Sequence, residues 1–293
     1  MKADLHNHFL IGFQGFWLER QGYFGKNLAR ALVNTAAEKG IGLVAITSEN
    51  FDIPKGSVHD RFGRICDDAE KIVGPYSFSK LGENILIAKS REKKIYIVNG
   101  QTVIINENGK RYDHLVVGSN QVPNNRDFDY TFKYLRDNNL LNFFEHLAAE
   151  SHCGVGVDLA KKLLDKYGEI ITGVEGYNGS MIWHERYSRI PLIGEFNRGV
   201  NLKSKLISVE FGKPYIATSD ARSPEQTGAG NIEFTHNLPF SEDSEKEFFS
   251  EIKQDIEQGI YKCNENYVSK SSWIKNAVLF ALGTKVFGMG RKS

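Results

Sequence analysis

Asp4-Leu5-His6-Asn7-His8 is the densest run of chemistry-bearing residues in the chain. On an extended strand, residues i and i+2 point to one face, so both imidazoles can converge on a single ion. Asp4 shares that parity and could orient a ring nitrogen from behind the ligands. A His-x-His pair alone is a weak signal, since most such histidines are surface or core residues. Its position adds weight. The run ends the first strand of an alternating α/β chain, where barrels and doubly wound sheets place their sites.

The elements that must position these residues show in the apolar spacing. Leu28, Ala31, Leu32, Thr35 and Ala36 share one helical face, and Gly40 to Thr47 follows as a buried strand. Asn84 to Ser90 and Lys94 to Ile105 alternate about a charged turn, the pattern of a hairpin, and His114 to Gly118 is another short strand. Leu140, Phe143, Phe144, Leu147 and Ala148 recur at helical spacing and predict an amphipathic helix. A strand at Gly154 to Val157, a helix through Leu163 and Leu164, and strands at Ile170 to Glu175 and Pro214 to Ser219 come next. Phe248, Ile252, Ile256 and Ile260 mark a late helix with an acidic first turn. Strands separated by helices imply βαβ units and a largely parallel sheet, open or closed into a barrel. One domain over residues 1–293 is the economical reading, with an irregular excursion at about 51–80 and a tail from Lys270 that docks as a helix.

Composition narrows the class. The 293 residues are 41% hydrophobic and 25% charged, the balance of an ordinary globular protein. A net charge of +1 gives no global field for nucleic acid or an anionic membrane, and no basic-aromatic stripe indicates a nucleic-acid platform. No apolar run is long enough for a membrane span, and the N-terminus has no apolar leader. The 3 cysteines, Cys66, Cys153 and Cys263, fit neither a disulfide framework nor a zinc-ribbon spacing, so a reducing cytoplasm is expected. The glycine-rich Thr227-Gly228-Ala229-Gly230-Asn231 does not join a strand to a helix as a nucleotide fingerprint requires, and no nucleotide or organic cofactor is expected.

The opening MKADLHNHF resembles the first motif of the PHP family, the polymerase and histidinol phosphatase domain. GLVAITSEN, IVNGQTVI and HLVVG resemble its second to fourth motifs in order, and GVEGYNG and ATSDARSPEQTG its two late ones. GVGVDLAKK stands where the family has a strand ending in Ala-His-Pro. The resemblance spans roughly residues 1 to 260. It implies a distorted (β/α)7 barrel and, in intact members, hydrolysis of phosphate esters by a cluster of up to three metals. Departures are many. Thr47-Ser48-Glu49 replaces Thr-Asp-His, Gln101 replaces a bridging glutamate, Lys161 falls near the missing histidine, and Arg222 stands where Asp-x-His has its histidine.

Carried onto this chain, the resemblance implies one divalent site of His6, His8 and Asp220, for zinc, manganese or iron, with Gln101 as a neutral fourth ligand. The second subsite keeps His114, and Glu49 is the replacement left in the third. With the shared anion become an amide, at most one tightly bound metal is expected. Lys161 and Arg222 put fixed cations where metal ligands stood, suited to gripping a small anionic substrate such as a phosphate ester. His114 is the remaining general acid or base. Glu175, Tyr177 and Asn178, at a strand end facing the mouth, either contact substrate or buttress the rim, buttressing being favoured. His59, His146, His152, His184 and His236 read as surface or structural. Two functional readings follow: a reduced-centre phosphoesterase, or an inactive barrel of the same shape that binds an anion or a protein partner.

Overall fold

The computed structural model describes residues 1–9, 27–49, 60–72, 74–181, 199–235, 240–272 and 274, the side chain of Glu49 excepted. Seven strands form a path around the site: β1 (Lys2–Asn7), β2 (Ile41–Glu49), β5 (Lys94–Glu107), β6 (Lys110–Val117), β7 (Leu141–Phe144), β8 (Gly173–Asn178) and β9 (Tyr215–Thr218). The path nearly closes into a barrel, because Asn7 bridges Ala221 just past β9 and the His8 amide donates to the Ala221 carbonyl at 2.8 Å. Strands β3 (Ser77–Leu81) and β4 (Ile85–Lys89) flank β5, and β10 (Gly230–Phe234) with β11 (Tyr261–Glu265) extends from β1.

The sheet is mixed rather than largely parallel. β1, β2 and β5 run parallel, as do β7, β8 and β9, but β6 is antiparallel to both its neighbours. The tight Asn108-Gly109 turn joins β5 directly to β6, with Asn108 at φ 53 and Gly109 at φ 79, a chain reversal that leaves no room for a crossover helix.

Helix α1 (Leu28–Lys39) starts where the Asn27 side chain accepts from the Arg30 amide at 2.9 Å and stops at Gly40, whose φ of 68 suits a residue without Cβ. It packs Leu32, Val33 and Ala36 with Ile65 of α2 (Arg61–Ala69) over the outer faces of β2 and β5. The remaining helices are α3 (Phe128–Asp137), α4 (Val157–Tyr167), α5 (Val200–Glu210) and α6 (Glu245–Glu257). The inner layer draws Leu5, Leu43, Ala45, Tyr96, Val98, Leu115, Phe143 and Ile216 from six strands, and Phe248, Ile252 and Ile256 of α6 close it from below.

Several expected elements differ. Leu141–Phe144 is a strand and not the start of a helix: all four residues are buried, and a short run buried on both faces has no period to separate it from a helix. The helix on that side is α3, capped by Asp127, with Phe128, Phe132 and Leu135 inward. Gly154 to Gly156 is loop, and α4 begins at Val157. In the expected excursion, residues 60–80 carry α2 and the start of β3, while 51–59 lie outside the described residues. Of the expected helical tail, 270–272 and 274 are helical and 275–293 lie outside.

Candidate metal centre

Between Asp4 and Asn7, β1 advances three residues while β2 advances only from Val44 to Ile46. This bulge breaks the strict alternation of the strand. Leu5 stays in the inner layer, and His6 and His8 both turn into the barrel mouth. Asp4 therefore does not share their face. It accepts from the Ser219 and Gly228 amides at 3.1 and 2.8 Å and from Asn7 Nδ2 at 3.2 Å, tying β1 to the loops after β9. The ring-orienting contact expected of Asp4 is made by Glu175 on β8, whose Oε1 accepts from His6 Nδ1 at 2.7 Å.

Four side chains from three strand ends meet here. His6 Nε2 and His8 Nε2 are 2.9 Å apart, and Asp220 Oδ1 is 3.8 Å from the first and 3.4 Å from the second. Glu145 Oε1, just past β7, is 3.5 Å from His6 Nε2. His8 Nδ1 donates to the Thr47 carbonyl at 2.8 Å. Carbonyl and carboxylate oxygens only accept, so both Nδ1 atoms carry a hydrogen and both Nε2 atoms face the common point. Asp220 holds its place at φ 47, a left-handed conformation that an aspartate tolerates at some cost.

The pocket is rich in carboxylates. Burial by itself would depress His6, but Glu145, Glu175 and Asp220 outweigh it and raise its pKa to about 10. Burial likewise opposes the charge on His146, yet its contact with Glu145 at 3.1 Å raises it to about 9. Glu175 stays below the usual carboxylate range, because His6 outweighs its burial.

The remaining predicted residues fall differently. Gln101 is committed elsewhere: its amide accepts from the Val122 N–H at 3.0 Å and donates to the Val122 carbonyl at 2.9 Å, bracing a loop. It is not placed as a ligand. His114 faces outward, between Phe132 and Phe144, with Nε2 on Asn142 Oδ1 at 3.0 Å. Burial lowers its pKa to about 4, and a ring in that layer cannot reach a substrate in the mouth. Lys161 lies on α4, paired with Glu210 of α5 at 2.7 Å on the surface, because its segment is helix and not a strand ending at the mouth. Arg222 is the predicted cation that does reach the site, 3.7 Å from Asp220 Oδ1 and partly exposed. Asn178 is fully buried and donates to Glu175 Oε2 and Asp220 Oδ2 at 3.1 and 3.2 Å, holding carboxylates apart rather than contacting substrate. The Glu49 side chain, His59, His184 and His236 lie outside the described residues.

Glu145 and Asp113 carry no motif signal in the sequence, and His146 reads there as surface or structural. Glu145 and His146 follow a buried strand that was read as helix, which hid their place at a strand end. Asp113 shares the inward parity of Leu115 and Val117 on β6, while His114, the more conspicuous neighbour, points away.

No protein-family model matches the chain, and no curated protein matches it in sequence. Solved structures do. A two-domain protein from Bacteroides vulgatus, described as containing a predicted PHP-like metal-dependent phosphoesterase, aligns over 91% of this chain with a TM-score of 0.52 and 14% identity. The fold is that of a PHP domain. The alignment covers 65% of the Bacteroides chain, less than two thirds of its length. PsfC from Pseudomonas syringae PB-5123 aligns over 97% of this chain and 98% of its own, with a TM-score of 0.55 and 10% identity.

In this PHP barrel the donor set fits a divalent ion. His6, His8 and Asp220 each offer one ligand atom within 4.8 Å of the others, all buried. Asp220 Oδ1 and Glu145 Oε2 are sealed from solvent without a hydrogen-bond partner, a state that a cation relieves. No described helix is long and apolar enough to cross a membrane.

Proposed function

We propose that this protein is a metal-dependent phosphoesterase hydrolysing a small phosphate ester, with a divalent ion held by His6, His8 and Asp220. The convergence of two Nε2 atoms and a carboxylate oxygen, with each ring locked from behind, carries the reading. When bound, such an ion polarises a phosphoryl oxygen and lowers the pKa of water.

The chain's own residues do the rest. Glu175 and the Thr47 carbonyl hold the ring tautomers, and Asn178 spaces Glu175 from Asp220. Arg222, at the rim, offers a guanidinium to the phosphoryl oxygens. The oxygen of water bonds to phosphorus, the P–O bond to the alcohol breaks, and the alcohol leaves with one proton. An inactive anion-binding barrel is the competing reading. Glu145 speaks against it, since it supplies the carboxylate that Gln101 does not.

Purified protein loaded with manganese or zinc should hydrolyse members of a broad phosphate-ester panel, lose turnover on chelation, and lose it in His8→Ala. Metal-loaded protein inert across the panel would overturn the proposal in favour of the anion-binding barrel.

A further inference from the structure

Helix α5 is turned against the usual order. Its buried residues are Val200, Asn201, Ser204, Ile207 and Ser208, three of them polar, while Leu202, Leu206 and Val209 are 60%, 59% and 75% exposed. Spaced i, i+4 and i+7, those three form one apolar stripe along the solvent side of the helix. Five large apolar residues are exposed among the described residues, and four of them are this stripe and Ile274, itself 50% exposed. Scattered apolar residues need no cover, but a contiguous stripe points to one.

The chain returns to α5 shortly before Ile274. Lys205, which stands between Leu202 and Leu206 in the helix, pairs with Glu265 at the end of β11 and lies over the rings of Tyr177 and Tyr215 at 5.4 and 5.5 Å. Tyr267 packs on Tyr177 with ring centroids 5.2 Å apart, and the Val268 amide donates to the Gly179 carbonyl at 3.1 Å. Ser269 then caps a new helical turn, its Oγ accepting from the Ser272 amide at 3.2 Å. Further along, Ala277, Val278, Ala281 and Leu282 stand at i+3, i+4, i+7 and i+8 from Ile274, the spacing of one apolar helical face. Read as helix, the span 274–282 is about 12 Å long and 202–209 about 10 Å, so the two stripes match in length. We infer that residues 275–282 lie against α5, with the apolar face that begins at Ile274 covering Leu202, Leu206 and Val209. A second copy of the chain is the weaker occupant, because a segment tethered beside α5 acts at an effective concentration of about millimolar. Docking there also backs Asn201, which accepts from the Asn178 amide at 3.1 Å, and so steadies the strand end that carries Asn178.

Hydrogen exchange on the full chain reads the contact directly and does not depend on turnover. In wild-type protein the amides of 277–282 should exchange at least about tenfold more slowly than those of an unstructured chain, at any protein concentration. Leu202→Asp combined with Leu206→Asp, both at exposed positions, should speed exchange there by about tenfold while β1, β2 and β8 stay as protected as before. Unprotected amides at 277–282 in wild-type protein overturn the inference whether or not the double variant folds. Equal protection of that segment in both proteins overturns it too, since the segment then docks away from α5. So does a wild-type dimer, seen by light scattering, that the double variant splits, because the stripe then belongs to a second copy.

Discussion

His6 and His8 point their Nε2 atoms at one another across 2.9 Å, while each Nδ1 is already spent on an acceptor, Glu175 for the first and the Thr47 carbonyl for the second. Two imidazole lone pairs at that separation repel unless a proton or a metal ion sits between them. Without metal, His6 carries the proton, favoured by the surrounding carboxylates.

Metal binding must therefore expel that proton. About one proton should be released per ion bound at this pair, and affinity should rise roughly tenfold per pH unit across neutrality. Titration calorimetry in buffers of different ionisation enthalpy measures the release. Heats independent of the buffer would show that the Nε2 atoms do not share a proton.

Glu175 holds the His6 ring from behind, and so would tune a metal bound at Nε2. Replacing it by glutamine removes the charge behind the ring and should weaken metal affinity about 10- to 100-fold. Competition against a chelator of known affinity reads this directly. An unchanged affinity in a folded variant would reduce Glu175 to rim support.

Asp4 should behave oppositely. It accepts from the Ser219 and Gly228 amides and from Asn7 Nδ2, on the side of β1 away from the two rings. Asp4→Ala orphans those donors and should cost about 1–3 kcal/mol of stability for each one left unsatisfied. Metal affinity per folded molecule should hold. Urea unfolding beside metal titration separates the two effects.

His114 carries a pH dependence of its own. The ring protonates near 6.5 when exposed but near 4 in the fold, because burial between Phe132 and Phe144 disfavours the charge. Between those values the unfolded chain binds the extra proton. Stability is thus intact above about pH 6.5 and falls as pH drops toward 4, by up to roughly 3 kcal/mol. His114→Leu should flatten that part of the acid limb in metal-free protein. Equal acid limbs in both proteins would mean the ring is solvated.

Arg222 and Lys161 should part company. Arg222→Ala is expected to weaken inorganic phosphate binding by about 10- to 100-fold, the worth of a charge-assisted hydrogen bond. Lys161→Ala, which removes a surface ion pair, should leave phosphate binding within error and stability within about 1 kcal/mol. Equal effects of the two would place the anion elsewhere.

Local pattern determined much of this protein. The spacing of Leu28, Leu32 and Ala36 specified α1, that of Phe248, Ile252 and Ile256 specified α6, and His6 with His8 marked the strand end at the candidate centre, since periodicity and i, i+2 geometry are properties of short segments. Tertiary structure decided which residues join them. A bulge in β1 turned Asp4 away, the pleat of β6 put Asp113 inward and His114 outward, and a strand too short to show a period delivered Glu145 and His146 to the mouth. Those outcomes depend on register and on packing against partners on other strands, which no local window contains.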